Sequence, residues 1–180
     1  MKCALVTSLL LLGSLAGNPP ATAAEHRIEA LGAVGYTMPL RDPDGAFPGG
    51  PSLSLQAQYL SPSGLGTFLS GGWTRLFTDT TQVMDSWNIE AGLAIAWWRF
   101  QVDAGLGASV LSVFASVDGV EITPIEPALT YSLGFTGIIW DGPVDLGAQL
   151  KAHIVSGTDI AWLTLNITVG ASLFEAHGGD

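Results

Sequence analysis

The chain has 180 residues and a formal net charge of −10, with 48% hydrophobic residues, 12% charged residues, 23 glycines and six tryptophans. Soluble domains usually contain about 25% charged residues, so this composition excludes a disordered tail and is atypical of a cytosolic enzyme. The acidic balance also disfavours nucleic acid and anionic lipid surfaces as partners, because both require a basic patch.

Residues 1–24 have the pattern of a secretory signal peptide. Met1 and Lys2 provide a positive start, residues 4–16 form a leucine-rich apolar run, and residues 21–24 offer small side chains for cleavage. The apolar run is shorter than the ~18 residues that a spanning helix needs. We therefore predict a signal peptide over 1–24 and one folded domain over 25–180, which lacks cysteine because Cys3 lies in the signal.

From residue 28 onward, apolar residues recur at every second position, the period of a β-strand with two unlike faces. The pattern predicts eight strands, each with at least nine residues, at 28–38, 52–60, 65–76, 84–97, 100–114, 124–136, 144–155 and 161–174. Strands of this length can cross a bilayer when tilted. The connections alternate between short turns at 61–64, 98–99 and 137–143 and a second set at 39–51, 77–82, 115–123 and 156–160. This alternation predicts an all-β, antiparallel up-and-down barrel.

The polar face of the strands indicates which way the barrel is turned. A soluble barrel of the lipocalin type has its apolar face inward, whereas a transmembrane barrel has it outward. Here the polar face is mostly Gly, Ala, Ser, Thr, Asn and Gln rather than the Lys and Glu of a solvated surface. The tryptophans lie near strand ends, as in an interfacial aromatic girdle: Trp73, Trp87, Trp97, Trp98, Trp140 and Trp162. Both features favour a transmembrane barrel.

Over about residues 26–174, strand number, alternation, loop asymmetry and signal peptide together resemble the small eight-stranded outer-membrane β-barrel family, which includes the OmpA-like transmembrane domain. The resemblance implies a bacterial outer membrane location, both termini in the periplasm, and contact with outer-membrane lipid and lipopolysaccharide. Family members often end on an aromatic residue used in assembly. Here Phe174 is followed by residues 175–180, a departure from that terminal signal.

An eight-stranded barrel encloses a lumen just wide enough to be filled by side chains. The polar parity points eight ionisable residues inward: Glu29, Glu90, Arg99, Asp103, Glu126, Asp145, Lys151 and His153. We interpret them as a polar plug in which charges pair, with a proton or ion relay through Glu90, Lys151 and Glu126 as the alternative. The expected turn positions place Glu126 opposite His153, Lys151 near Asn166, His153 near Thr164, and Lys151 within reach of Glu90 across the lumen.

Candidate chemistry is sparse. His153 and Ser156 resemble the His and Ser of outer-membrane lipid A deacylases, but those enzymes use a His-x-Ser spacing that keeps both side chains on one strand face. Asp42 and Asp44 form a turn sequence. Together with the loop acids Asp79, Asp85, Asp118, Glu121 and Asp159, they are candidates for divalent cations that bridge to lipopolysaccharide phosphates.

The sequence therefore predicts a non-enzymatic outer-membrane barrel that contributes to envelope structure or surface contact, with no catalytic residues, cofactor or resident metal. The alternatives are a lipid-modifying barrel enzyme and a secreted, soluble lipocalin-like barrel. The oligomeric state is open.

Overall fold

The computed structural model describes residues 25–41, 49–77, 82–116, 120–124, 127–141, 144–157 and 160–177. The predicted signal peptide at 1–24 lies outside these residues. The described residues form nine strands: β1 (Glu25–Arg41), β2 (Gly50–Leu60), β3 (Leu65–Phe77), β4 (Gln82–Trp97), β5 (Phe100–Ser116), β6 (Val120–Pro124), β7 (Ala128–Trp140), β8 (Asp145–Val155) and β9 (Ala161–His177). Among them there is no helix long and apolar enough to cross a membrane.

Eight of the strands close into an antiparallel barrel. The order is β4-β3-β2-β1-β9-β8-β7-β5, and pairing of β5 with β4 completes the circle. The short β6 pairs only with the end of β5, where Ser116 lies opposite Val120, so it extends a hairpin beyond the wall. Closure leaves no unpaired sheet edge in the wall.

The two ends of the barrel differ in their connections. At the end that we term the turn end, β2–β3, β4–β5 and β7–β8 are joined at 61–64, 98–99 and 141–144. Trp97 pairs with Phe100, so Trp98 and Arg99 form the expected two-residue connection, and Trp98 has φ 53°. The opposite end, the loop end, carries the remaining connections. Glu25 pairs with His177, so the first and last strands begin and finish together at the turn end.

Burial is inverted relative to a soluble barrel. Leu93 on β4 is 66% exposed and Ile167 on β9 is 65% exposed, whereas Asp103 on β5 is 0% exposed. The inward rows are mostly serine, threonine, glutamine, asparagine and glycine, and the outward rows are leucine, isoleucine, valine and aromatic residues. An apolar outer wall of this extent is stable only against hydrocarbon. The chain is therefore a transmembrane β-barrel, and the lipocalin-like alternative is wrong.

Seven of the eight predicted strands lie within three residues of the observed bounds, but the strand predicted at 124–136 is observed at Ala128–Trp140. The prediction began the next turn at Gly137. Instead Gly137 pairs with both Phe100 and Ala148, and β7 continues past a bulge between Ile138 and Trp140. Gly137 therefore lies within a strand next to a bulge and does not begin a turn.

This difference changes the register between β7 and β8. His153 lies opposite Ser132, so its predicted pairing with Glu126 is wrong, and Glu126 itself lies outside the described residues. On β9, His153 faces Trp162 and Lys151 faces Thr164, one pair away from the expected Thr164 and Asn166. The β8–β9 connection lies at 156–160 as predicted, so this shift by one inward pair arises within the turn and not from a change in the strand bounds. The inward and outward parities are those predicted.

We expect Leu93→Arg to destabilise the barrel by about 2–4 kcal/mol, because Leu93 lies mid-strand on the lipid-facing wall. Leu93→Met, at the same position without charge, should be nearly neutral. Reversible urea unfolding in lipid vesicles would measure both. Equal effects of the two substitutions would contradict the lipid-facing assignment of this row.

Candidate functional site

The centre of the lumen holds a buried group of charges. Lys151 on β8 reaches across the barrel to hydrogen-bond Glu90 on β4, and its Nζ lies 3.7 Å from an Asp103 carboxylate oxygen. Ser70 donates a hydrogen bond to Glu90 at 2.8 Å, and the ammonium lies 5.2 Å from the ring centre of Phe68. The expected contact between Lys151 and Glu90 is thus present. We term Glu90, Asp103, Lys151 and His153 the central cluster.

Glycines make room for these side chains. A Cβ at Gly134, which lies between Asp103 and Lys151 in the sheet, would lie 2.5 and 2.6 Å from the two Asp103 carboxylate oxygens. A Cβ at Gly105 would lie 2.7 Å from Ser132 Oγ and 2.9 Å from the Phe68 ring. Distances under 3.0 Å are too short for a methyl group. The lumen accommodates a long charged side chain on one strand because the residue beside it on the neighbouring strand is glycine, which has no side chain.

Apolar side chains lie on both sides of the central cluster along the barrel axis. Toward the loop end the packed residues are Leu76, Met84, Leu111, Val155 and Trp162. Toward the turn end they are Leu60, Phe68 and Ala94. The members of the central cluster are at most 6% exposed. The charges are therefore shielded from water at both ends.

Neutral and paired groups occupy the rest of the lumen. Ser52 donates to Asn166, Asn166 to Gln149, and Gln149 to Thr136, at 3.1, 3.1 and 3.3 Å, so a ladder of side chains follows β2, β9, β8 and β7. At the turn end, the Glu29 carboxylate accepts from Gln58 at 2.5 Å and pairs with Arg27 at 2.5 Å.

A cavity of about 30 Å³ lies beside Glu29. It has room for about one water molecule. Asp145, at the start of β8, is half-buried in the wall of this cavity.

Several buried polar atoms have no hydrogen-bond partner within the described residues: Glu90 Oε2, both Asp103 carboxylate oxygens, Ser132 Oγ, Ser86 Oγ, His153 Nδ1 and Trp162 Nε1. All but Ser86 belong to the central cluster or to residues opposite it in the sheet. Buried polar groups are normally paired, so this is the least satisfied part of the lumen.

Two sequence predictions about side-chain direction are wrong. Arg99 does not face the lumen: it lies exposed in the two-residue turn, with its guanidinium 5.9 Å from the Trp98 ring centre. Turn residues do not follow strand parity. Trp162 does not belong to the girdle, because it is 1% exposed and stacks on His153 with ring centres 5.5 Å apart. Trp162 has the same inward parity as Thr164, and this parity in the sequence already argues against a place in the outward-facing girdle.

The other five tryptophans lie at the two ends of the wall. Trp73 and Trp87 are cross-strand partners toward the loop end, with ring centres 6.3 Å apart. At the turn end lie Trp97, Trp98 and Trp140. Trp87 and Trp97 are ten positions apart on β4 (97 − 87). At ~3.3 Å per residue and a tilt of about 40°, this spans roughly 25 Å of height, the apolar band of an outer-membrane barrel.

Polar pairs also occur on the outward parity, which the sequence did not reveal. Arg75 donates two hydrogen bonds of 2.8 Å to Asp85 and lies 5.3 Å from the Trp73 ring centre, beyond the girdle at the loop end. His26 and the Tyr59 hydroxyl are 2.6 Å apart at the turn end. Both pairs lie at the level of the interfaces rather than at hydrocarbon depth.

The structure does not support a deacylase-like site at His153 and Ser156. The His153 ring is buried in the lumen against Trp162, whereas Ser156 is exposed in the turn after β8. No group of three or more His, Cys, Asp or Glu in the described ranges has metal-holding geometry. Of the acidic loop residues, Asp85 is bound to Arg75, and the remainder have side chains outside the described residues: Asp42, Asp44, Asp79, Asp118, Glu121 and Asp159.

Neither a protein-family model nor a curated protein matches the sequence. Solved structures match the fold. Neisserial surface protein A has a TM-score of 0.60 at 12% identity, with 81% of this chain and 97% of that chain covered. Ail, the attachment invasion locus protein of Yersinia pestis, has a TM-score of 0.60 at 15% identity, covering 83% and 99%. The chain has the fold of the small eight-stranded outer-membrane β-barrels.

The N-terminal β-barrel domain of Pseudomonas aeruginosa OprF shares this outer-membrane barrel fold, with a TM-score of 0.52 at 10% identity over 81% of this chain and 98% of that one. The fold resemblance inferred from the sequence is therefore confirmed. At 10–15% identity, what the barrels have in common is the fold, and the residues of the lumen must be explained from this chain alone.

We expect Gly134→Ala to destabilise the barrel by about 1–3 kcal/mol, because its Cβ would overlap the Asp103 carboxylate. Gly71→Ala is the matched control. Gly71 also lies mid-strand, but a Cβ there would meet only the Asn88 carbonyl oxygen, at 3.7 Å. Urea unfolding followed by tryptophan fluorescence would compare them, and a cost for Gly71→Ala as large as that for Gly134→Ala would refute the clearance argument.

We expect Lys151→Met to cost about 3–5 kcal/mol, since it leaves two buried carboxylates without a cation. Glu90→Gln should cost less. The ammonium then still has Asp103 nearby, and Ser70 can donate to the amide oxygen. The same unfolding measurement ranks the two, and the reverse order would mean that Lys151 does not balance both carboxylates.

Proposed function

We propose that this protein is a non-enzymatic integral barrel of a bacterial outer membrane that contributes to envelope structure or surface contact. The filled, shielded lumen carries this proposal. Glu90 and Lys151 occupy its centre, and apolar residues, Phe68 among them, close over them on both sides, which leaves no wide channel for solutes between the described strands. The fold of outer-membrane barrels, present in this chain, supports the location.

The orientation follows from the connections. Outer-membrane barrels have short periplasmic turns and longer extracellular loops. The two-residue turn at 98–99 and the paired strand ends at Glu25 and His177 share one end of the barrel, so we assign that end, and both termini, to the periplasm. The signal peptide at 1–24 would direct export, with the mature chain beginning at Glu25.

The loop end is then the surface that meets the outside. Its segments at 42–49, 78–81, 115–127 and 156–160 contain seven acidic residues and no lysine or arginine. One structure of Ail holds sucrose octasulfate, a heparin analogue. An acidic loop set repels such a polyanion. For this chain we propose instead divalent cations that bridge the loop carboxylates to lipopolysaccharide phosphates.

Catalysis on lipid has no comparable support. The outward polar pairs within the described strands are Arg75 with Asp85, which satisfy one another, and His26 with Tyr59, which includes no serine or cysteine nucleophile.

Cell fractionation tests the location. We expect the protein in the outer-membrane fraction, with slower gel migration after boiling, because heat unfolds a compact barrel that detergent alone leaves intact. Recovery in the soluble periplasmic extract would overturn the proposal.

The orientation can be tested by labelling, since the mature chain has no cysteine of its own. We expect an impermeant maleimide to label Ser156→Cys on intact cells and to label Ser63→Cys only after the outer membrane is broken. Ser156 is exposed at the loop end and Ser63 is exposed at the turn end, which makes them a matched pair. Labelling of Ser63→Cys alone on intact cells would reverse the orientation.

A further inference from the structure

We propose that the central cluster binds one additional positive charge beside Asp103, supplied by a proton or by a monovalent metal cation. This site goes beyond the proposed surface function and does not depend on it. Lys151 is shared between Glu90, which it hydrogen-bonds, and Asp103, from which it is 3.7 Å away. The geometry thus leaves Asp103 with the weaker share of the only ammonium group in the cluster.

The charge count leads to the same requirement. With a neutral imidazole, the cluster holds two carboxylates and one ammonium, a surplus of one negative charge. An unbalanced charge inside a low-dielectric interior is very costly. Arg75 is already bound to Asp85 outside the lumen, and Arg27 to Glu29 at the turn end. Arg99 is exposed in the turn at 98–99. Since none of these three faces Asp103, Lys151 is the one lysine or arginine among the described side chains that reaches it.

The unpartnered atoms mark where the charge would lie. Asp103 is 0% exposed and neither carboxylate oxygen has a hydrogen-bond partner in the described chain. Ser132 Oγ and Glu90 Oε2 lie near one another around Gly105, at 2.7 and 3.4 Å from where its Cβ would be, and neither makes a hydrogen bond of normal geometry in the described chain. Because Gly134 has no side chain, the Asp103 carboxylate can lie over it, with both oxygens within 2.6 Å of where a Cβ would be. The resulting set is four oxygen atoms, the donor type that hard cations take.

The ligand carries a single charge. A divalent ion would give three positive charges with Lys151 against two negative ones, and it would lie beside the ammonium. The described residues also offer no metal-holding group of three acidic, His or Cys residues. A proton can reside on Asp103 or on His153, whose Nδ1 lacks a partner within the described residues. The charged group nearest Asp103 is Lys151 on β8, which also binds Glu90 on β4, and the neighbouring inward pair on β7 and β8 is Ser132 with His153.

The dependence of barrel stability on pH and on sodium concentration tests this site. The folding equilibrium constant in lipid vesicles is measured from pH 6.5 to 8.5 at fixed sodium, and from 1 to 300 mM sodium at fixed pH, with choline holding the ionic strength constant. The slope is taken between pH 7.5 and 8.5, where the carboxylates of the unfolded chain are ionised and its histidines are largely neutral. A proton bound only by the folded barrel makes the constant fall by up to about tenfold per pH unit, and a bound sodium ion makes it rise by up to about tenfold per decade.

Asp103→Asn removes the surplus carboxylate at nearly the same size and should abolish whichever dependence the wild type shows. Glu29→Gln is the control, because that carboxylate is already paired with Arg27, and it should leave the dependence intact. Proton uptake during folding of the wild type, followed with an indicator dye in weak buffer, identifies the proton without any variant. A pH dependence assigns the charge to a proton and a sodium dependence to the metal ion. Wild-type stability that responds to neither, or a dependence that survives Asp103→Asn unchanged, would overturn the proposal.

Discussion

A backbone in hydrocarbon must satisfy all its hydrogen bonds internally, and the rest of this structure depends on that constraint. A sheet meets it only by closing on itself, which here happens where β5 returns to β4. Closure with eight strands then fixes a lumen that is only as wide as its side chains. The outward row becomes a lipid contact, so Leu93 and Ile167 are exposed at no cost. The inward row becomes a confined space in which every polar group needs a partner.

Confinement explains the high glycine content better than backbone flexibility does. The Asp103 side chain occupies the volume that a Gly134 side chain would fill, and Phe68 and Ser132 do the same at Gly105. Large inward residues therefore require small ones on neighbouring strands, and the charged and aromatic side chains can reach across the barrel. The interaction between Lys151 and Glu90 joins strands that are not neighbours in the sheet. Such a contact fixes which faces meet, although as a buried ion pair it adds little net stability over an apolar filling.

Strand parity, and with it the fold and the inward direction of Glu90, Asp103, Lys151 and His153, could be predicted from the sequence because a two-sided environment imposes a period of two. The register between strands could not be predicted from the sequence, because it depends on where each turn begins and on how its residues are arranged. Gly137 has the composition of a turn residue yet lies in β7, and that single misplacement moved the partner of His153 from Glu126 to Ser132. Trp162 and Arg99 show a related limit. An aromatic residue near a strand end and a charged residue near a polar row can each belong to either face, and only the local backbone decides.

The fold does not require a charged lumen. The ladder from Ser52 through Asn166 and Gln149 to Thr136 shows that neutral side chains can fill and cross-link this barrel. Barrels of the same fold at 10–15% identity further show that the architecture does not depend on particular residues. A buried carboxylate with no hydrogen-bond partner among the described residues, as at Asp103, is expensive under these conditions. Folding alone therefore accounts for the amide ladder but not for the surplus carboxylate, and it is the central cluster in which a property specific to this protein must be sought.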